Sequence, residues 1–251
     1  MAPRSRQGRV GALRVLFYSG AMVEFAVVIP AAGSSTRYGG ARNKLLEMLG
    51  GEAVITRTVR AFLSRRDVAR VILPTGLGEL REILPPDERV VLCEGGETRA
   101  HSVWRGLKEV PESVQWVAVH DGARPLVSQG LIDRTFLAAE AHGAAVPALP
   151  VALTIKEALG PLPARVERTV PRERLWAMQT PQVAGRAALL RAFEACPIPL
   201  ERVTDDVQLI ELAGGEVWLV PGEERNLKIT TRMDLRIAEM ILAEGETAQG
   251  T

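Results

Sequence analysis

Residues 25–46 read FAVVIPAAGSSTRYGGARNKLL, and no other stretch constrains the chain so tightly. The apolar run 25–29 has the length and β-branched content of a strand buried on both faces, the kind found in parallel sheets covered by helices. It empties into small residues. Ala31, Ala32 and Gly33 let backbone N–H groups approach polyanionic oxygens, and Arg37 and Lys44 bring positive charge to the same loop. Strand, glycine loop and cation in that order form a cradle for phosphate. The spacing fits neither common nucleotide loop. Lys44 follows Asn43 and precedes Leu45, where a Walker A loop has Gly before the Lys and Ser or Thr after it; Ser35 and Tyr38 stand where a dinucleotide fingerprint has glycine. Read alone, the same residues also suit a glycine turn with two solvated cations.

The remainder of the chain alternates two periods. Residues 53–65 carry apolar side chains at helical spacing (Val54, Ile55, Val59, Phe62, Leu63) and 68–73 is a short apolar run, which predicts a βαβ unit and a parallel sheet. The pattern continues with a loop at 74–78, a short helix at 79–83, strands at 90–93, 116–119 and 144–149, and helices at 131–141 and 187–195. A late strand at 217–220 and an amphipathic helix at 234–243 complete it. A chain of 251 residues has the size of one large α/β domain, expected over residues 22–246.

Charge and composition narrow the function. The formal charge of +1 conceals a mildly acidic body, because Arg4, Arg6, Arg9 and Arg14 meet no acid before Glu24. With no broad basic field, nucleic acid is not an expected partner, and any anion must be held in a local pocket. Cys93 and Cys196 are too few for a disulfide framework, which suits a reducing cytoplasm, and His101, His120 and His142 offer little for a zinc site. Residues 1–21 are Arg-rich and acid-free, with no apolar run long enough to span a membrane. They read as a disordered or mis-started extension, or as a transit peptide.

Two further stretches gather polar groups at the ends of predicted strands. In GGETRAHSVWRGL, residues 95–107, a glycine pair opens a helix whose first turn holds Thr98 and Arg99, with Ser102 one turn later. Such a terminus suits a base or phosphate; it also suits an ordinary capped helix with Val103 and Leu107 in the core. The strand at 116–119 ends in His120-Asp121-Gly122-Ala123-Arg124-Pro125. A carboxylate at the C-terminal end of a parallel strand lies where open α/β sheets bind ligands. Asp121 is therefore expected to hold Mg²⁺ against a triphosphate rather than to serve the core, with Arg124 beside it. Between 151 and 174 the pattern changes. Pro161, Pro163 and Pro171 punctuate alternating polar and apolar residues, which predicts a β-hairpin arm that leaves the globule and packs on something else. Thr204-Asp205-Asp206 opens a later helix, with Thr204 the expected cap and a candidate to face the site.

Together these blocks resemble the 2-C-methyl-D-erythritol 4-phosphate cytidylyltransferases of the non-mevalonate isoprenoid pathway. The resemblance rests on Pro30 to Gly33 with Arg37 and Lys44, on the glycine pair with Arg99 and Ser102, on His120 to Pro125, on Thr180-Pro181-Gln182, and on Asn226 to Thr230. It implies a Rossmann-like α/β nucleotidyltransferase with a mostly parallel central sheet and a protruding β-arm that embraces a second copy in a homodimer. By the same resemblance Gly96, Glu97, Arg99 and Ser102 would bind the nucleotide, Thr180 would contact the substrate, and Lys228 would clamp the phosphate of the acceptor sugar. Thr154 and Arg172, on the arm, would complete the partner's site. The implied substrates are CTP and 2-C-methyl-D-erythritol 4-phosphate, with Mg²⁺ as cofactor. Attack of the acceptor phosphate on the α-phosphorus would release pyrophosphate. That nucleophile arrives ionised, so no Ser, Cys or His base is required, and Arg37, Lys44, Arg172 and Lys228 are the expected catalytic cations.

The chain departs from the family where Ser35 replaces Gly, Asn43 replaces Pro, Leu45 replaces Gln, and Arg225 stands where an acid is common. Three other readings stay open: a ribitol 5-phosphate cytidylyltransferase with the same loop, a non-catalytic nucleotide-binding dimer, and a dehydrogenase. The last is disfavoured by the glycine spacing.

Overall fold

Strand β1 (Phe25–Val28) is buried along its whole length. In the computed structural model, which describes residues 23–33, 38–39 and 43–249, alternate residues of this strand feed two separate cores. Phe25, Val27 and Ile29 enter one core while Ala26 and Val28 enter the other, as the period of a strand requires. The ladder β2 (Met48–Leu49) with β3 (Glu52–Ala53) leads into α1 (Val54–Leu63). Strand β4 (Val68–Thr75) then returns parallel to β1. A short helix α2 (Leu80–Ile83) and strand β5 (Val90–Glu94) extend this side of the sheet.

Helix α3 (Arg99–Lys108) crosses to β6 (Trp116–Val119), which lies on the other side of β1 and parallel to it. Helix α4 (Gln129–His142) leads to β7 (Ala144–Pro150). The α3 and α4 N-termini are capped by Thr98 and Ser128, whose side chains accept the His101 and Leu131 amides. On the first face, α1 and α4 pack Ile55, Val59, Phe62, Leu131 and Phe136 against the sheet. Phe25 and Phe136 stack with ring centroids 3.8 Å apart. On the second face lie α3, α5 (Arg186–Glu194) and α6 (Val207–Leu212), contributing Val103, Leu107, Leu189, Phe193 and Ile210. Helices on both faces leave the central strands no solvated side, which is why they read as unbroken apolar runs.

After β7 the chain forms a two-stranded hairpin, β8 (Ile155–Ala158) with β9 (Val166–Val170), pairing Ile155 with Val170. It re-enters the sheet through β10 (Trp176–Met178), antiparallel to β7, and through a strand that the sequence did not predict, β11 (Gln182–Gly185). The latter is inserted between β6 and β7 and runs antiparallel to both. A late strand, β12 (Trp218–Pro221), runs parallel to β7, and α7 (Arg232–Gln249) extends beyond the expected helix at both ends. The order across the eight-stranded sheet is β10-β7-β11-β6-β1-β4-β5, with β12 also beside β7. Six strands run one way and β10 and β11 oppose them, a mostly parallel sheet as expected.

The 1–21 segment, Ser35 and Arg37 lie outside the described residues. Among the described residues, no helix is long and apolar enough to cross a membrane.

Candidate active site

The loops that leave β1, β5 and β6 meet at the C-terminal edge of the sheet and enclose a cleft of about 410 Å³. Two of these loops touch. A Cβ on Gly95 would lie 2.3 Å from the Ala32 Cβ, and one on Gly96 would lie 2.4 Å from the His101 Cβ. Only glycine lets the β5 exit fold against both the first loop and the start of α3. The Ser102 hydroxyl fixes that turn by accepting the Gly96 amide at 3.0 Å and donating to Thr98 O at 3.0 Å.

Of the three small residues expected to form the phosphate cradle, Ala32 and Gly33 line the cleft. Ala31 does not. It is fully buried in the core and its N–H donates to Pro74 O at 2.8 Å, because sheet-like bonding to β4 continues past the end of β1. Lys44 lines the cleft at the head of a 3₁₀ turn, Lys44–Leu46. Asn43 holds that turn: its Oδ1 accepts the Leu45 amide at 3.0 Å and its Nδ2 donates to Gly33 O at 3.0 Å. A side-chain clasp thus stiffens the loop at the position where the resemblance leads one to expect proline. Leu45, where the resemblance leads one to expect Gln, is buried in the first core. Arg225 is exposed and does not line the cleft.

Glu97, Arg99, Asp121 and Lys228 also line the cleft, together with Tyr38 and Thr230. Asp121 is the electrostatic centre. Its carboxylate lies 3.3 Å from Arg99 Nε, 3.3 Å from Arg124 Nε and 3.0 Å from Lys228 Nζ. Burial alone would raise its pKa, but Arg99, Lys228 and Arg124 outweigh burial and hold it well below the usual carboxylate range. Arg124 lies behind Asp121, buried, and donates to Asn226 O at 2.7 Å. Arg99 also reaches Asp206 Oδ2 at 2.7 Å. Burial works against its charge, yet Asp206 and Asp121 more than compensate, and its pKa is raised. Asp206 itself is pushed up by burial, with Arg99 acting against the rise.

This arrangement bears on the expected role of Asp121 as a metal ligand. Three cations already occupy its oxygens. A hard cation seeks oxygen donors that are not already neutralised, so the donor set does not fit a Mg²⁺ held by the protein. Asp121 instead anchors the cations of the cleft.

Thr180 meets the cleft through Asp121. It is buried behind Asp121, outside the cleft lining, and its hydroxyl accepts the Asp121 amide at 3.1 Å and faces His120 Nδ1 at 3.0 Å. His120 Nε2 lies 3.2 Å from Arg124 O, so Nε2 carries the proton and donates, leaving Nδ1 to accept from Thr180. Burial pushes His120 down to about 4, against the pull of Arg124 O and Asp121. The unfolded chain therefore takes up a proton near pH 6.5 that the folded chain refuses until about pH 4, and stability is lost as pH falls through that window. The expected loss is about 3 kcal/mol. Urea unfolding at both ends of the window should show it, and His120→Asn should remove most of the difference; an unchanged pH slope in that variant would refute the assignment.

Thr204 does not line this cleft. It borders a second, smaller depression of about 230 Å³ with Met178, Asp205 and Gln208, and its amide and hydroxyl both meet Gln208 Oε1. Asp205, not Thr204, supplies the capping bond of α6, accepting the Gln208 amide at 3.0 Å. Thr154 and Arg172 lie exposed at the hairpin, where Arg172 Nη1 bonds Ala152 O; within one chain they do not reach the cleft lining. Asp206, which the sequence reading passed over as part of a cap, is the carboxylate that reaches Arg99. The clue was available: one acid suffices for the cap, which leaves the second of two adjacent acids unexplained.

Known proteins share both fold and sequence. A protein of Desulfotalea psychrophila named bifunctional enzyme IspD/IspF is 42% identical over 224 residues, covering 87% of this chain and 57% of that protein, so the chain spans little more than half its length. The 2-C-methyl-D-erythritol 4-phosphate cytidylyltransferase of Gloeobacter violaceus is 43% identical over 222 residues, covering 86% of this chain and 95% of the relative. The crystal structure of the Francisella tularensis enzyme of that name superposes with a TM-score of 0.76 at 28% identity, covering 86% of this chain and 99% of the other. A family model described as IspD, 2-C-methyl-D-erythritol 4-phosphate cytidylyltransferase, matches residues 25–244. The cleft between two glycine loops, its cationic wall and these matches agree, and the chain belongs to the 2-C-methyl-D-erythritol 4-phosphate cytidylyltransferase family.

Proposed function

We propose that this chain transfers CMP from CTP to 2-C-methyl-D-erythritol 4-phosphate and releases pyrophosphate. The observation that carries the reading is the convergence of Lys44, Arg99 and Lys228 on one cleft between two glycine loops. A triphosphate needs closely approachable backbone and several preorganised positive charges, and the cleft offers both. The acceptor phosphate forms its new P–O bond at the α-phosphorus as the bond to the β-phosphate oxygen breaks, and the leaving pyrophosphate takes the electron pair. The acceptor is already an anion, so no proton need be removed. In keeping with this, His120 is buried and neutral, with both ring nitrogens engaged by Thr180 and Arg124. The work left to the protein is to align two anions and neutralise developing charge.

Ala32, Gly33, Gly96, Glu97 and Ser102 are assigned to the nucleotide side, with Arg37 as a further expected cation of the first loop. Lys228 is assigned to the acceptor phosphate, with Thr204 as a further expected contact on the acceptor side, and Thr154 and Arg172 of a second copy are assigned to its completion in a homodimer. Mg²⁺ is proposed to enter with CTP, its shell made by phosphate oxygens and water without Asp121. The free Cys93 and Cys196 support a cytoplasmic setting.

Pyrophosphate release from CTP with 2-C-methyl-D-erythritol 4-phosphate, against ribitol 5-phosphate as the competing acceptor, tests the assignment. Preference for ribitol 5-phosphate would overturn it. In the same assay Lys44→Ala should lower turnover by on the order of a hundredfold at saturating CTP with an unchanged melting temperature. Near-normal turnover would remove Lys44 from the mechanism.

A further inference from the structure

The segment Thr180-Pro181-Gln182 is not part of the cleft lining, yet each of its polar side chains grips a residue that lines the cleft or that holds one that does. The Thr180 hydroxyl has one proton, which it gives to His120 Nδ1, and it accepts the amide of Asp121. The Gln182 amide is used at both ends. Its Oε1 accepts the backbone N–H of Asp206 at 2.8 Å and of Val207 at 3.2 Å, and its Nε2 donates to Asp205 Oδ2 at 3.1 Å. Asp121 and Asp206 are in turn the two carboxylates that Arg99 bridges, through Nε at 3.3 Å and Nη2 at 2.7 Å.

We propose that Thr180 and Gln182 are positioning residues for nucleotide binding: together they set the two carboxylates between which the Arg99 guanidinium is suspended at the cleft wall. A guanidinium is a rigid fork whose direction is dictated by its acceptors, and those acceptors are directed only if their own backbone is pinned. The two grips are one residue apart across Pro181, and β11 locks their spacing by pairing Gln182 with Val119, next to His120. Asn226 Nδ2 holds the segment from outside, donating to Thr180 O at 2.9 Å. Removing the Thr180 hydroxyl strands a buried N–H and an imidazole acceptor; removing the Gln182 amide strands two buried N–H groups. In either case one side of the Arg99 fork loses its reference.

That Arg99 meets CTP rests on the proposed function, so the test has one readout that needs the nucleotide and one that does not. CTP affinity is measured by calorimetry without acceptor, and the Arg99 Nε–H resonance, identified by its loss in Arg99→Ala, is followed by NMR in the nucleotide-free protein. Thr180→Val and Gln182→Met are each expected to weaken CTP binding by about tenfold, with Thr180→Ser staying within about twofold of the parent. In an Arg99→Ala background the same two changes should cost less than about twofold, because the residue they position is gone. The Arg99 resonance should broaden or move in both variants and not in Thr180→Ser. Losses of equal size with and without Arg99, or an unmoved resonance, would overturn the proposal. A wild-type chain that binds no CTP would overturn the proposed function instead, leaving the resonance to decide the brace. Gln182→Met acts from the other end and repeats the test should Thr180→Val fail to fold.

Discussion

Asp121→Asn lowers turnover by on the order of a thousandfold and, at the same time, lowers the melting temperature by about 10 °C. The two losses share a cause. The wild-type carboxylate compensates Arg99, Arg124 and Lys228 in a buried setting, and an amide leaves those three charges with Asp206 as the remaining neighbouring acid. Leaving a buried charge without its partner costs about 3–5 kcal/mol. The amide's own N–H₂ also points a donor at donors. Arg99 and Lys228, no longer drawn to a common centre, lose the preorganisation that makes a cation effective against developing phosphoryl charge. Circular-dichroism melting and pyrophosphate release on one preparation check both halves. Half-saturating Mg²⁺ for the residual activity should be unchanged. Full recovery at high Mg²⁺ with a wild-type melting temperature would restore Asp121 to the role of metal ligand.

Mixing two inactive chains should return about a quarter of wild-type activity. If Arg172 of the hairpin serves the partner's cleft while Lys44 serves its own, a heterodimer of Lys44→Ala with Arg172→Ala collects both lesions in one site and leaves the other intact. Random pairing of equal amounts makes about half the dimers mixed, each with one working site of two in a symmetric assembly. Neither parent approaches that level. The exposure of Arg172 and its distance in sequence from every cleft residue motivate the experiment. A verified heterodimer no more active than the mean of its parents would sink the shared site.

The parts of the fold legible in sequence are those whose physics is local. β1, β4, β6 and β7 are runs of apolar residues buried on both faces, and their helices carry the matching stripe. β11 escaped notice for the same reason in reverse. Its four residues follow a proline, lie between two strands and are almost wholly buried, so neither alternation nor length marks them. At the site, the position of Asp121 could be read from the end of a strand, but its neighbours could not. Arg99 lies 22 residues earlier and Lys228 arrives from the loop before the last helix, and the sheet order alone brings them together. Ala31 stands outside the cleft lining because the strand's hydrogen bonding runs past Pro30, and sequence does not reveal where such bonding stops.

The hairpin is rooted in the sheet at both ends. Trp176 pairs with Pro150 and the Val151 amide donates to Leu175 O at 3.2 Å, so departure and return are fastened to each other before either strand of the hairpin begins. An insertion closed at its base is a module. Pairs of residues added or deleted at its tip, around the exposed Leu159 and Leu162, alter its reach without shifting the register of β7 or the loops of the cleft. The hairpin can therefore change in length and sequence separately from the loops that form the cleft, and an engineer can exchange it between relatives as a self-contained cassette.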